Sequence, residues 1–184
     1  MYNSSEHYGL VTILLHWLIA MVILGLFGLG LYMAELSYYD PLGNILPFVH
    51  ISVGMLLVPV LIFGIIWKLI NPGPTPLAGT TALEQALVKL VHHLLTLLIA
   101  AILISGYLIT TAKGVGASVF DIISVPSTIT GIPEQEYYAG LTHQYLTYGL
   151  IALVVLHTVA ALKHHFINRD NTLRRMLGIS QSKS

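Results

Sequence analysis

Long apolar runs alternate with short polar breaks along this chain, and four of the runs are long enough to cross a bilayer. They extend over about residues 10–33, 48–70, 86–110 and 141–166, each at or above the ~20 residues that a ~30 Å hydrocarbon layer requires. The pattern predicts an all-α membrane protein, a four-transmembrane-helix bundle formed as one domain over residues 1–184. Pro72, Pro74 and Pro76 mark the link between the second and third runs as extended. A shorter apolar patch, Val119 to Val125, is interrupted by Asp121 and stopped by Pro126, so it is expected to lie as a loop or interfacial segment. No Lys or Arg precedes the first run, and its apolar stretch is too long for a cleaved leader. It is therefore expected to remain as a span.

Composition sharpens the picture by exclusion. Hydrophobic residues make up 55% of the chain and charged ones 9%, with a mean hydropathy of +0.80; soluble domains carry about 25% charged residues. Such a chain could not cover its own surface with polar groups, so the lipid bilayer is its expected surrounding. The formal net charge is zero and gives no ground for a nucleic-acid partner; none is expected. The absence of cysteine excludes disulfides, thiolate metal sites, iron–sulfur clusters and thioether-attached haem. The nine histidines are left as the main supply of metal ligands.

The basic residues set an expected orientation. Lys68, Lys89, Lys163, Arg169, Arg174, Arg175 and Lys183 fall on one side, and Lys113 alone falls on the other among Glu35, Asp40, Asp121, Glu134 and Glu136. Seven against one is a positive-inside pattern. It predicts a multi-pass protein of the bacterial inner membrane, with both termini cytoplasmic and the links after the first and third spans facing outward.

With that orientation the histidines sort by depth. His143 and His157 lie fourteen residues apart, which is ~40° short of four full helical turns and a rise of ~21 Å. Both imidazoles therefore share one stripe of the fourth span, near opposite faces of the hydrocarbon. His16 and His92 lie at depths similar to His157, whereas His50 opens the second span level with His143. An inner group of three (His16, His92, His157) thus faces an outer pair (His50, His143). His7, His93, His164 and His165 stand outside this sorting or at its edge. Ionisable groups within a membrane are rare and usually functional. Five at two matched depths, without intramembrane carboxylates for a proton or metal path, suggest haem b, which needs only an apolar slot and axial imidazoles from facing helices. Gly54, one turn after His50, and Gly149, between the span-four histidines, would give a flat macrocycle room, as would Gly25, Gly28 and Gly30 above His16. The same small residues also permit close helix packing.

These residues resemble the prokaryotic cytochrome b561 family, small four-helix inner-membrane proteins with two b haems. The likeness runs over nearly the whole chain. It is carried by Leu15-His16-Trp17, His50-Ile51-Ser52-Val53-Gly54, His92 with Ser105-Gly106, and the His143 and His157 pair. It continues through Lys163-His164-His165-Phe166, Asp170-Asn171-Thr172-Leu173 and Arg175-Met176. The resemblance implies that His16 and His157 ligate the inner haem iron and His50 and His143 the outer one. It further implies a quinone pocket near the inner haem, with ubiquinone or another membrane quinone as acceptor, and His92 and His164 at the positions of its polar groups.

In the best-known branch of that family the protein resembles a superoxide oxidase, taking electrons from periplasmic superoxide and passing them to ubiquinone. The branch carries several arginines in its outer loops, where the present chain has Lys113 amid five acidic residues. Since a favourable field can raise association rates by ~10–1000-fold, this departure shifts weight towards another outer donor, a small periplasmic reductant or redox protein. The function expected is thus di-haem b transmembrane electron transfer from a periplasmic donor to membrane quinone, with superoxide oxidation as one form of it. The alternative is a haem-bearing membrane anchor subunit for a partner oxidoreductase, suggested by outer loops too short to hold much of a substrate site.

Overall fold

A computed structural model describes residues 1–37, 39–77 and 79–179 of the chain; Lys183, counted above among the basic residues, lies outside the described residues. Four long helices cross the molecule: α1 (Leu10–Ala34), α2 (Ile45–Ile70), α3 (Ala82–Thr111) and α4 (Gln135–Phe166). A short antiparallel hairpin, β1 (Ala117–Val119) and β2 (Ile123–Val125), lies between α3 and α4, and a final turn of helix, α5 (Thr172–Met176), follows α4. All four long helices are sufficiently long and apolar to span a membrane. Large side chains such as Met21, Leu24, Ile62, Leu97, Ile104 and Leu156 lie exposed on their outer faces. That is the surface lipid would cover, because hydrocarbon imposes no penalty on apolar side chains.

The helices resist the absence of water by satisfying their own polar groups. Thr96, Thr110, Thr111, Thr147 and Thr158 each donate a hydroxyl hydrogen bond to the carbonyl four residues earlier, so none is left unpaired in hydrocarbon. α3 begins four residues before its apolar run because Thr81 and Glu84 form a capping box. The Thr81 hydroxyl accepts from Glu84 N–H at 3.2 Å, and the Glu84 carboxylate accepts from Thr81 N–H at 2.8 Å. α4 likewise begins six residues before its apolar run, at Gln135. This seats His143 two turns inside the helix rather than at its opening.

Packing is closest between α3 and α4 and between α1 and α2. Leu61, Ile99 and Leu150 form the buried core, with Ile19, Ile23, Leu98, Leu103 and Val154 packed around them. Leu150 lies seven residues from each of His143 and His157. The core is therefore an apolar partition at mid-height between two tiers of histidine.

The two ends of the bundle are closed differently. At the hairpin end, Phe120 and Asp121 both take positive φ (50° and 56°), the left-handed pair of a tight turn in which Ile122 N–H donates to the Val119 carbonyl at 3.0 Å, ahead of the Val119–Ile123 pair. This replaces the loop or interfacial segment expected from Asp121 and Pro126. Asp121 supports the turn, its carboxylate accepting from the Ser118 hydroxyl at 2.8 Å. The Phe120 N–H donates to Ser52 Oγ of α2 at 3.0 Å, and the fully buried Ser52 so pins the turn to the helix carrying His50. At the termini end, Asn3 clasps α2: its amide donates to the Asn71 and Pro72 carbonyls, both at 3.1 Å, while its Oδ1 accepts from the Gly9 N–H and the Thr12 hydroxyl, both at 2.8 Å. α5 folds back over the same end, Trp17 Nε1 donating to the Met176 carbonyl at 2.9 Å and Arg175 to the Thr75 carbonyl at 2.8 Å.

Asp170 starts that return. Its partial burial would raise the carboxyl, but bonds from Thr172 and from His164 Nδ1 outweigh this and hold it below the usual carboxylate range. A depressed carboxyl stabilises the fold fully above its unfolded value, and the contribution is lost as pH falls through the depressed one. Acidification through that window, or Asp170→Asn at neutral pH, is thus expected to raise amide exchange over residues 172–176 with little change in α1–α4. Ser52→Ala removes the hydrogen bond from the Phe120 N–H and is expected to lower unfolding free energy by about 1 kcal/mol, read from the thermal transition in detergent.

Candidate functional site

Two pairs of imidazoles meet across the bundle, one pair at each tier. His50 of α2 faces His143 of α4 with ring centroids 6.3 Å apart, and His16 of α1 faces His157 of α4 at the same separation. The equality is informative. With metal–nitrogen bonds of about 2 Å, two imidazoles on opposite sides of one metal place their centroids roughly 6 Å apart. His92 lies 5.2 Å from His157, too close for a metal centred between the two rings. Sequence depth left three histidines at that tier, and the fold brings all three together while giving only His16 the spacing of an axial partner.

The hairpin-end pair borders a cavity of about 710 Å³. Ile23, Phe27, Ile51, Met55, Ile99 and Leu103 supply much of its apolar wall, and Lys113, Glu136 and Gln144 its polar edge. Within it His143 is oriented by α3. Its Nδ1–H is shared between the Ile102 carbonyl at 3.0 Å and the buried Ser105 hydroxyl at 3.2 Å, and Ser105 itself donates to Ile102 at 2.9 Å. A carbonyl can only accept, so Nδ1 carries the proton and Nε2 keeps its lone pair for a ligand. His50 has no such support: its Nδ1 is buried without a partner, so no protein hydrogen bond accounts for the ring's presence there.

Glycines make the room. A Cβ on Gly106 would come within 3.2 Å of His143 Cε1, and one on Gly30 within 3.5 Å of His50 Cε1. Gly30, above His16 on α1, therefore makes room at the His50 tier. Gly54 lines the cavity with nothing within 4 Å of an added Cβ; Gly149 meets equally open space but does not line that cavity. Ser105 and Gly106 are the neighbours that depth reasoning did not assign, and the Ser-Gly pair at cavity height on α3 is their signal in the chain.

The remaining histidines are also placed. His92 donates Nδ1–H to the Val88 carbonyl at 2.8 Å and His93 to Lys89 at 2.6 Å, the latter ring on the exposed face of α3. His164 donates Nδ1–H to the Asp170 carboxylate at 2.5 Å. The His165 Nδ1 is buried and unpartnered. Among the described residues no group of three or more His, Asp or Glu converges on a metal-sized site. Two opposed imidazoles beside a large apolar slot suit a metal whose other ligands come from a macrocycle, which is the donor set of haem b.

The family model described as prokaryotic cytochrome b561 matches residues 7–178, and the chain belongs to that family. It is thus a multi-pass bacterial membrane protein of a family that binds haem b and transfers electrons. Among its relatives, "Cytochrome b561 homolog 2" of Escherichia coli (strain K12) is 43% identical over 180 residues, 98% of this chain and 96% of that protein. "Probable superoxide oxidase CybB" of Yersinia pestis is 25% identical over 173 residues, 94% of this chain and 96% of that protein.

Loss of the hydrogen-bond partner of a metal-ligating histidine commonly costs 10–100-fold in affinity. Ser105→Ala leaves the Ile102 carbonyl in place, so the lower figure of about tenfold is expected, measured as faster loss of haem to apomyoglobin.

Proposed function

We propose that the chain carries electrons through two b haems, from a periplasmic donor at the hairpin end to a membrane quinone at the termini end. The observation that carries this reading is the pair of imidazole gaps, each 6.3 Å between centroids, at two levels of one bundle. His50 and His143 hold the outer haem iron and His16 and His157 the inner one, with Gly54 and Gly149 leaving room beside them. The protein lies in the inner membrane with both termini in the cytoplasm, in keeping with the basic residues gathered at that end.

When bound, each haem supplies a one-electron ferric–ferrous couple that no side chain here offers. The protein does the rest. Two imidazoles holding one iron would keep other ligands off it and favour electron transfer over oxygen binding. The Leu61, Ile99 and Leu150 layer excludes water between the tiers. At the inner tier His92 and His164 are the polar groups for a quinone. With its Nδ1–H held by the Asp170 carboxylate, His164 keeps Nε2 for a quinone oxygen. Reducing one quinone to quinol takes two electrons from the donor and two protons from the cytoplasmic side. With superoxide as donor, two anions would leave as two molecules of dioxygen. The name of the Yersinia pestis relative supports that chemistry for the family branch it represents.

Haem quantification on the purified chain is expected to give two b haems, and fewer would sink the reading. His50→Ala is expected to remove one haem and spare the other, seen as loss of one component in a redox-titrated α-band. Copurification of a stoichiometric soluble oxidoreductase, with no quinone reduction by the chain alone, would make it an anchor subunit instead.

A further inference from the structure

The cavity beside His50 and His143 opens past a pair of opposite charges. Lys113, just beyond the end of α3, and Glu136, in the first turn of α4, both line it. Lys113 Nζ lies 3.1 Å from Glu136 Oε2 and 3.5 Å from Oε1. The same two side chains, with Glu134 and Gln135, line a neighbouring hollow of about 420 Å³. Lys113 is the only Lys or Arg between α3 and α4 or between α1 and α2, where Glu35, Asp40, Asp121 and Glu134 stand with Glu136. The pair is largely solvent-exposed, 78% for Lys113 and 55% for Glu136, so it adds little to stability. Its consequence is for the field, because the single cation that could attract an anion is matched by a carboxylate at contact distance and outnumbered beyond it.

We propose that Glu136 makes this mouth selective by charge, so that the electron donor it serves is an uncharged or cationic one-electron reductant. The inference rests on electron entry at the hairpin end. A donor gives up one electron to the outer haem and departs one unit more positive. For a neutral or cationic donor both the approach and the oxidised product suit an acidic mouth. An anion such as superoxide instead approaches against the field and departs as neutral dioxygen. Fields of this kind change encounter rates by ~10–1000-fold and fade with salt over a Debye length of about 8 Å at physiological ionic strength.

Stopped-flow reduction of the oxidised holoprotein by superoxide, a neutral hydroquinone and hexaammineruthenium(II) tests this. The wild-type rate with superoxide is expected to rise with salt and that with the ruthenium cation to fall. Glu136→Gln should raise the superoxide rate roughly tenfold and lower the cation rate by a similar factor, leaving the hydroquinone rate unchanged; Lys113→Gln should act in the opposite sense. A spectroelectrochemical titration gives an equilibrium readout. Removing the Glu136 charge should shift the outer haem potential upward and leave the inner one in place. Superoxide reduction near the diffusion limit that slows with salt, or rates and potentials indifferent to Glu136, would overturn the selectivity alone. Haem that none of the three donors reduces would overturn entry at this end, and the inference with it.

Discussion

An imidazole inside hydrocarbon must find a partner, and the rest of this molecule is arranged around meeting that requirement twice. Hydrocarbon offers no water to an unpaired ring nitrogen, yet the paired rings are held apart rather than hydrogen-bonded to each other. At 6.3 Å between centroids, each pair faces without a hydrogen bond between its rings. The spacing is set by backbone placement: α4 supplies one ring of each pair, α2 and α1 supply the others, and α3 fixes the His143 ring through Ile102 and Ser105. Glycines at Gly30 and Gly106 let helices pass close enough to hold the rings at that distance. A bundle packed only for density would have closed the cavity of about 710 Å³ that the hairpin-end rings border.

Function follows from keeping the two tiers apart but connected. The partition of Leu61, Ile99 and Leu150 is buried and apolar, and it lies midway along the stretch of α4 that joins His143 to His157. Polar machinery is pushed to the two ends. The termini end gathers His92, His164 and Asp170 under a cover made by the N-terminal segment, the proline link and α5. The hairpin end is acidic. Phe120 turns back onto Ser52 there, and Lys113 is spent on Glu136.

Much of this was legible in the chain because its signals are local or periodic. Apolar runs of bilayer length and a fourteen-residue spacing on one helix require no knowledge of what packs against them. The hairpin was not legible, since Val119–Val125 is short, interrupted by Asp121, and makes its turn only where a buried Ser52 from sixty-eight residues away accepts the Phe120 N–H. Helix starts beyond the apolar spans were not legible for a related reason. The capping box of Thr81 and Glu84 extends α3 through polar residues that hydropathy assigns to a loop, and α4 begins at Gln135, after a left-handed Glu134 and without a side-chain cap.

What the sequence determined by itself is the class: four spans, two depths of histidine, a family with haem b and a lopsided distribution of charge, all consequences of composition and period along single helices. The tertiary structure decided which rings face each other, and at what distance. It separated His16 from His92 as partners of His157, set Gly30 against His50, and gave Ser105 its task. It also paired Lys113 with Glu136. The physical reason is common to all of these: each depends on the rotation and approach of one helix against another, which side-chain packing sets and no single helix encodes.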